Sequence, residues 1–125
     1  MDTWEINSLS ADPHKPEILS SSDAARVVAI VLPAGEALDD HEVHEHAWVI
    51  VTDGEVEVEA GSQTTAGGPG LVAQFGPQER HAVRATSDAR LVLVLAPWPG
   101  DGHPGAMSLE DKANAREKAR DRAGA

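Results

Sequence analysis

The chain has 125 residues, enough for one domain with a single hydrophobic core. It contains no cysteine, which excludes disulfides and thiolate ligands, so any metal must be held by imidazole and carboxylate. A formal net charge of -11 opposes nucleic acid and anionic membrane surfaces, and no apolar run approaches the roughly 20 residues that a membrane-crossing helix needs.

In chain order, residues 1–22 read as a polar lead segment packing on the domain that follows. Its opening, "MDTWEINSLSADPH", is acidic and unlike a secretory signal, so the expected location is the cytoplasm. Residues 23–98 are dense in short strand patterns. "ARVVAIVL" is a β-branched run ended by the turn signal "PAG". "AWVIVTDGEVEVEAG" reads as a hairpin around Asp53-Gly54, with Val51 paired to Val56 and Val49 to Val58. "SQTTAGGPG", "LVAQF", "RHAVRA" and "RLVLVLAPW" supply further strands. Many short strands with regular Gly, Pro and Asp punctuation imply an all-β sandwich or barrel. Residues 99–125 form a Gly/Pro linker and a charged segment. Ser108 can cap a short C-terminal helix there, with a frayed or disordered tail as the alternative.

The chemistry gathers in "HEVHEH", which holds three of the chain's six histidines. Continuing the alternation of the valines back from Val51 places Ala47, Glu45, Val43 and His41 on the inner face. It places Ile50, Trp48, His46 and His44 on the outer one. A bulge between residues 43 and 47 would reverse that parity and bring His46 inward. His81, in "FGPQERHAV", follows a loop signal at the start of a strand. Imidazole with carboxylate suits iron, zinc, nickel or manganese, and two histidines plus one carboxylate is a known non-haem iron arrangement. The candidate ligands are therefore His41, His44, His46 and His81, with Glu45 as the alternative to His44 or His46. Buried without a cation, an inward Glu45 would be costly. Trp48 and Ile50 on the outer face suggest either cover by Trp4 and Ile6 or a dimer contact. Trp98 lies where the chain leaves the barrel and could cover its mouth. Arg80, Arg84 and Arg90 are expected on strand surfaces.

"LPAGEALDDHEVHEHAWVIVTDGEVEV" followed by "GGPGLVAQFGPQERHAVRA" resembles the two motifs of the cupin superfamily. Gly35, His41 and Gly54 occupy the first motif, and Gly70, Pro77 and His81 the second. The resemblance implies a double-stranded β-helix, the cupin jelly-roll barrel. Two positions depart from it. Val43 stands where the family has a second histidine, and Ala47 where it has a glutamate, so only His41 and His81 carry over as ligands.

The resulting expectation is a divalent-metal (Fe, Zn, Ni or Mn), small-molecule site in the barrel, acting as an oxygenase or isomerase of a small polar metabolite. The alternative is a non-catalytic binding or sensing module with a degenerate metal site. A structural dimer without pocket chemistry is the third reading. A small-molecule ligand and a second copy of the chain are the expected partners, and the resemblance supports the homodimer.

Overall fold

The computed structural model describes residues 1–41 and 44–98. Glu42, Val43 and the expected C-terminal helix or tail at 99–125 lie outside the described residues.

The described chain is almost entirely β-structure. After a single 3-10 turn at Ile6–Ser8 come β1 (Glu17–Ser21), β2 (Arg26–Leu32), β3 (Ala37–His41) and β4 (His46–Asp53). β5 (Val56–Ala60), β6 (Gln63–Gly67), β7 (Val72–Phe75), β8 (His81–Ala85) and β9 (Ala89–Ala96) follow. The strands form two antiparallel sheets, one ordered β1-β2-β9-β4-β7 and the other β3-β8-β5-β6. β1 falls within the polar lead segment and adds an edge strand to the first sheet, with Glu17 opposite Ala29. Its sequence, "EILSS", carries little alternation, so its strand character comes from pairing with β2.

The core follows from period-two burial. Val28, Ile30 and Leu32 on β2 are buried, as are Val49 and Val51 on β4. They sit in one sheet because β9 lies between them, with Leu91 opposite both Ile30 and Val51. Val56, Val58 and Val83 line the facing sheet. Each such side chain contributes about 1.5–3 kcal/mol by leaving water.

The expected hairpin between β4 and β5 does not form. Both hydrogen-bonding edges of β4 are taken, one by β7 and the other by β9. β5 pairs with β6 and β8 instead. The Asp53-Gly54 corner carries the chain from one sheet to the other, with Gly54 at φ +78°. The corner is held by the Glu55 amide donating to Ser87 Oγ at 2.9 Å and the Thr86 amide donating to the Glu55 carbonyl at 2.9 Å. Val49, Val51, Val56 and Val58 still point inward, but they meet across the core rather than side by side.

The outer face of the five-stranded sheet is apolar along Trp48, Ile50, Val92 and Val94, all half-buried, and Val72, which is 55% exposed. The N-terminal turn is pinned at one end of this face. Arg90 Nη1 donates to the carbonyls of Ile6 (2.8 Å) and Leu9 (2.7 Å), and Asn7 Nδ2 donates to the Thr52 carbonyl (3.0 Å). Ile6 is half-buried by this arrangement, whereas Trp4 is exposed.

Candidate functional site

Antiparallel register collects the chemistry at one end of the barrel. His41, the last residue of β3, lies opposite His81, the first of β8. Ala47 near the start of β4 lies opposite Phe75 at the end of β7, and His46 lies opposite Ala96 at the end of β9. The two sheets meet here through a ring contact. Phe75 from one sheet and His81 from the other stack with centroids 3.9 Å apart and planes 7° from parallel.

His81 is 2% exposed. Its Nδ1 lies 3.0 Å from the Glu79 carbonyl. A carbonyl only accepts, so Nδ1 carries the proton in this contact, and in the neutral ring Nε2 holds the lone pair. The loop that delivers His81 is tightly wound. The Glu79 amide donates to the Gly76 carbonyl (3.2 Å), the Gly76 amide donates to Glu79 Oε1 (2.9 Å), and Gln78 has φ 64°.

The alternation read from the sequence runs unbroken from residue 44 to 51. Glu45, Ala47, Val49 and Val51 are buried, while His44 and His46 are exposed and Trp48 and Ile50 half-buried. His46 lies on the outside with its ring 6.0 Å from that of Trp48. Glu45 is 4% exposed. Among the described residues, Glu45 and His81 are the buried polar or charged side chains. His41 is placed by backbone register alone, its side chain lying outside the description. His14 is exposed, 3.6 Å from Glu36. His103 lies outside the described residues.

Sequence reasoning misses two supports of this end. Phe75 reads only as part of a strand, yet it forms one wall of the His81 ring. Glu79 has no role assigned from the sequence. A glycine four residues after β7 begins and a polar residue three further on, "FGPQE", is the local signal of a tied loop. Trp98 also closes this end. It is 8% exposed, its amide donates to the Asp23 carbonyl (3.2 Å), and the Arg26 guanidinium lies 4.2 Å above its ring.

In chemical terms, a buried imidazole with a lone pair and a buried carboxylate suit a hard or borderline divalent cation. Among the described residues, no group of three or more His, Asp or Glu side chains comes together as a metal set. Two hollows lie elsewhere, on the outer face of the four-stranded sheet. One of about 280 Å³ is bordered by Glu59, Gly61, Arg80 and Ala82, and one of about 90 Å³ by Glu57, Glu59, Thr64, Ala82 and Arg84. Ala82 and Arg84 alternate with the inward His81 and Val83, so these hollows open away from the buried pair. Arg84 on β8 and Arg90 on β9 lie outside the core on strand surfaces, as expected, whereas the exposed Arg80 falls in the loop just before β8 rather than on a strand.

No helix among the described residues is long and apolar enough to cross a membrane. The architecture is shared with many solved proteins. The TT1209 protein of Thermus thermophilus is similar at 27% identity, with 79% of this chain and 100% of that chain covered and a TM-score of 0.69. An RmlC-like cupin protein of Desulfovibrio desulfuricans matches at 22% identity over 78% of this chain and 97% of its own, with a TM-score of 0.69. An RmlC-like cupin of Methanocaldococcus jannaschii, described as a double-stranded β-helix, matches at 20% identity over 68% and 81%, with a TM-score of 0.62. None of the curated proteins matches this sequence. The model of the cupin domain matches residues 27–97, more than half of the chain and all but the outermost strand of the two-sheet barrel. Cupin domains commonly bind metal, and this chain belongs to the cupin family.

Proposed function

We propose that the end of the barrel carrying His81 is a small-molecule site that holds a divalent metal through His41, Glu45 and His81. The observation that carries this reading is the burial of Glu45 and His81 in an otherwise apolar interior. Removing a carboxylate from water is costly unless a cation or donors compensate it. The exposure of His44 and His46 favours Glu45 over either of them as the third donor. Two imidazoles and one carboxylate would leave coordination positions open on iron, zinc, nickel or manganese. The metal would supply Lewis acidity and a place for water, dioxygen or a chelating substrate, as oxygenation or isomerisation of a small polar metabolite requires.

The chain's own residues have defined parts in this reading. Phe75 keeps the His81 ring in one plane, the Glu79 carbonyl holds its proton on Nδ1, and Trp98 limits water at the mouth. A second reading, a binding or sensing module without metal, is favoured by Ala47. It is completely buried at the position where the family resemblance expects a glutamate.

The deciding experiment is elemental mass spectrometry of tag-free protein, beside the His41→Ala/His81→Ala double variant and Glu45→Gln. Near-stoichiometric metal in the wild type, absent from the double variant and reduced in Glu45→Gln, supports the metal site. Absence of metal after incubation with iron, zinc, nickel and manganese sinks it and leaves the binding module. The expected partner on the apolar outer face is a second copy of the chain, joined through Trp48, Ile50 and Val72.

A further inference from the structure

We propose that Glu79 is a positioning residue for His81, fixing which ring nitrogen faces the barrel. The inference rests on the reading that His81 belongs to a functional site. Glu79 acts twice in one turn. Its side chain accepts from the Gly76 amide (2.9 Å), and its own amide donates back to the Gly76 carbonyl (3.2 Å). These two bonds close the loop between β7 and β8 on itself. They hold Gln78 in the left-handed region, at φ 64°, which a residue with a Cβ seldom adopts without outside constraint.

With the loop closed, the Glu79 carbonyl points back at Nδ1 of His81, 3.0 Å away. Phe75, immediately before the loop, stacks on the imidazole immediately after it and confines the ring to one plane, while the bond to the Glu79 carbonyl sets which way round it sits in that plane. The contacts together select one tautomer, with the proton on Nδ1 and the lone pair on Nε2. That is the form a histidine must take to donate Nε2 to a cation or to accept a substrate proton there. Gly76, Gln78, Glu79 and Phe75 therefore form one orienting device, and the Glu79 side chain is its removable part.

The test reads the tautomer of His81 directly, without metal, at about pH 8, where an ordinary imidazole is neutral. Long-range proton–nitrogen correlation spectra of isotope-labelled full chain would be compared for wild type, Glu79→Gln and Glu79→Ala, with His81→Gln identifying the signals. The expected result is a single Nδ1-protonated His81 in the wild type and in Glu79→Gln, whose amide oxygen can still accept from Gly76. Glu79→Ala is expected to show mixed tautomers. Zinc titration of the same samples is expected to show about five- to tenfold weaker binding in Glu79→Ala only. An Nε2-protonated His81 in the wild type, or an unchanged tautomer in Glu79→Ala, overturns the proposal. If Glu79→Ala does not fold, Glu79→Met, which keeps the bulk of the side chain and loses the acceptor for the Gly76 amide, is read in its place, with mixed tautomers expected and an unchanged Nδ1-protonated ring overturning the proposal. A wild type that binds none of zinc, iron, nickel and manganese yet shows the expected tautomers refutes the metal reading and leaves the positioning role of Glu79 standing.

Discussion

Replacing Gly54 by alanine tests the corner that joins the two sheets. At φ +78° an alanine costs about 1–2 kcal/mol from backbone sterics alone. A Cβ at this position would also lie 2.0 Å from the Asp88 carbonyl oxygen, 2.7 Å from Ala89 Cα and 2.8 Å from the Asp88 carbonyl carbon. All three are backbone atoms, so no side chain can swing away. Moving them is resisted on both sides. Asp88 Oδ1 accepts from the Ala34 amide at 2.9 Å, and Ala89 begins β9 with 2% of its surface exposed. Relieving the clash needs a shift of about 1 Å in a close-packed segment, and a total loss of about 3–5 kcal/mol is expected. That is a large part of the ordinary stability of a domain, about 5–15 kcal/mol. Gly61 supplies the control. Its φ is +61°, and a Cβ there meets nothing within 4 Å, so Gly61→Ala is expected to cost only about 1 kcal/mol. Urea unfolding followed by tryptophan fluorescence compares the two. A Gly54→Ala loss no greater than that of Gly61→Ala would refute the corner as described.

Gln78→Gly removes the positive-φ strain in the β7–β8 loop, and denaturant unfolding should show it neutral or stabilised by up to about 1 kcal/mol, although glycine also loosens the unfolded chain. Arg90→Met deletes both bonds to the N-terminal turn while keeping the stem. Amide hydrogen exchange should then quicken at residues 5–9, with about 1–3 kcal/mol lost from that segment's local stability. Leu91→Ala, at 1% exposure between β2 and β4, should cost about 2–5 kcal/mol in thermal or urea unfolding. Ile50→Arg on the apolar outer face should convert a dimer to a monomer by light scattering without unfolding the barrel, and a monomeric wild type would contradict the proposed pairing.

The site was partly legible for the same reason that the core was. Alternation places a strand residue on one of two faces, and burial of the valines tells which face is inside. Extended back from Val51, that rule predicts a buried Glu45 and exposed His44 and His46, and the structure places them so. It could not supply the contacts around His81. Phe75 and His81 are six residues apart on strands of different sheets, and their stacking depends on how the loop between them closes. The role of Glu79 is equally hidden, because half of it is played by a backbone carbonyl.

The sequence by itself determined the class of fold, the inward residues of its main strands and the position of Gly54 at a break between strands. Those features depend on local periodicity and on which residues tolerate unusual backbone angles. Only the tertiary structure decided which strands become neighbours. A turn signal after β4 is compatible with a hairpin in one sheet or a corner between two, and alternation reads the same either way. The choice fell to the edges of β4, which β7 and β9 occupy from distant parts of the chain, leaving β5 to cross to the facing sheet and bring Val56 and Val58 over the core.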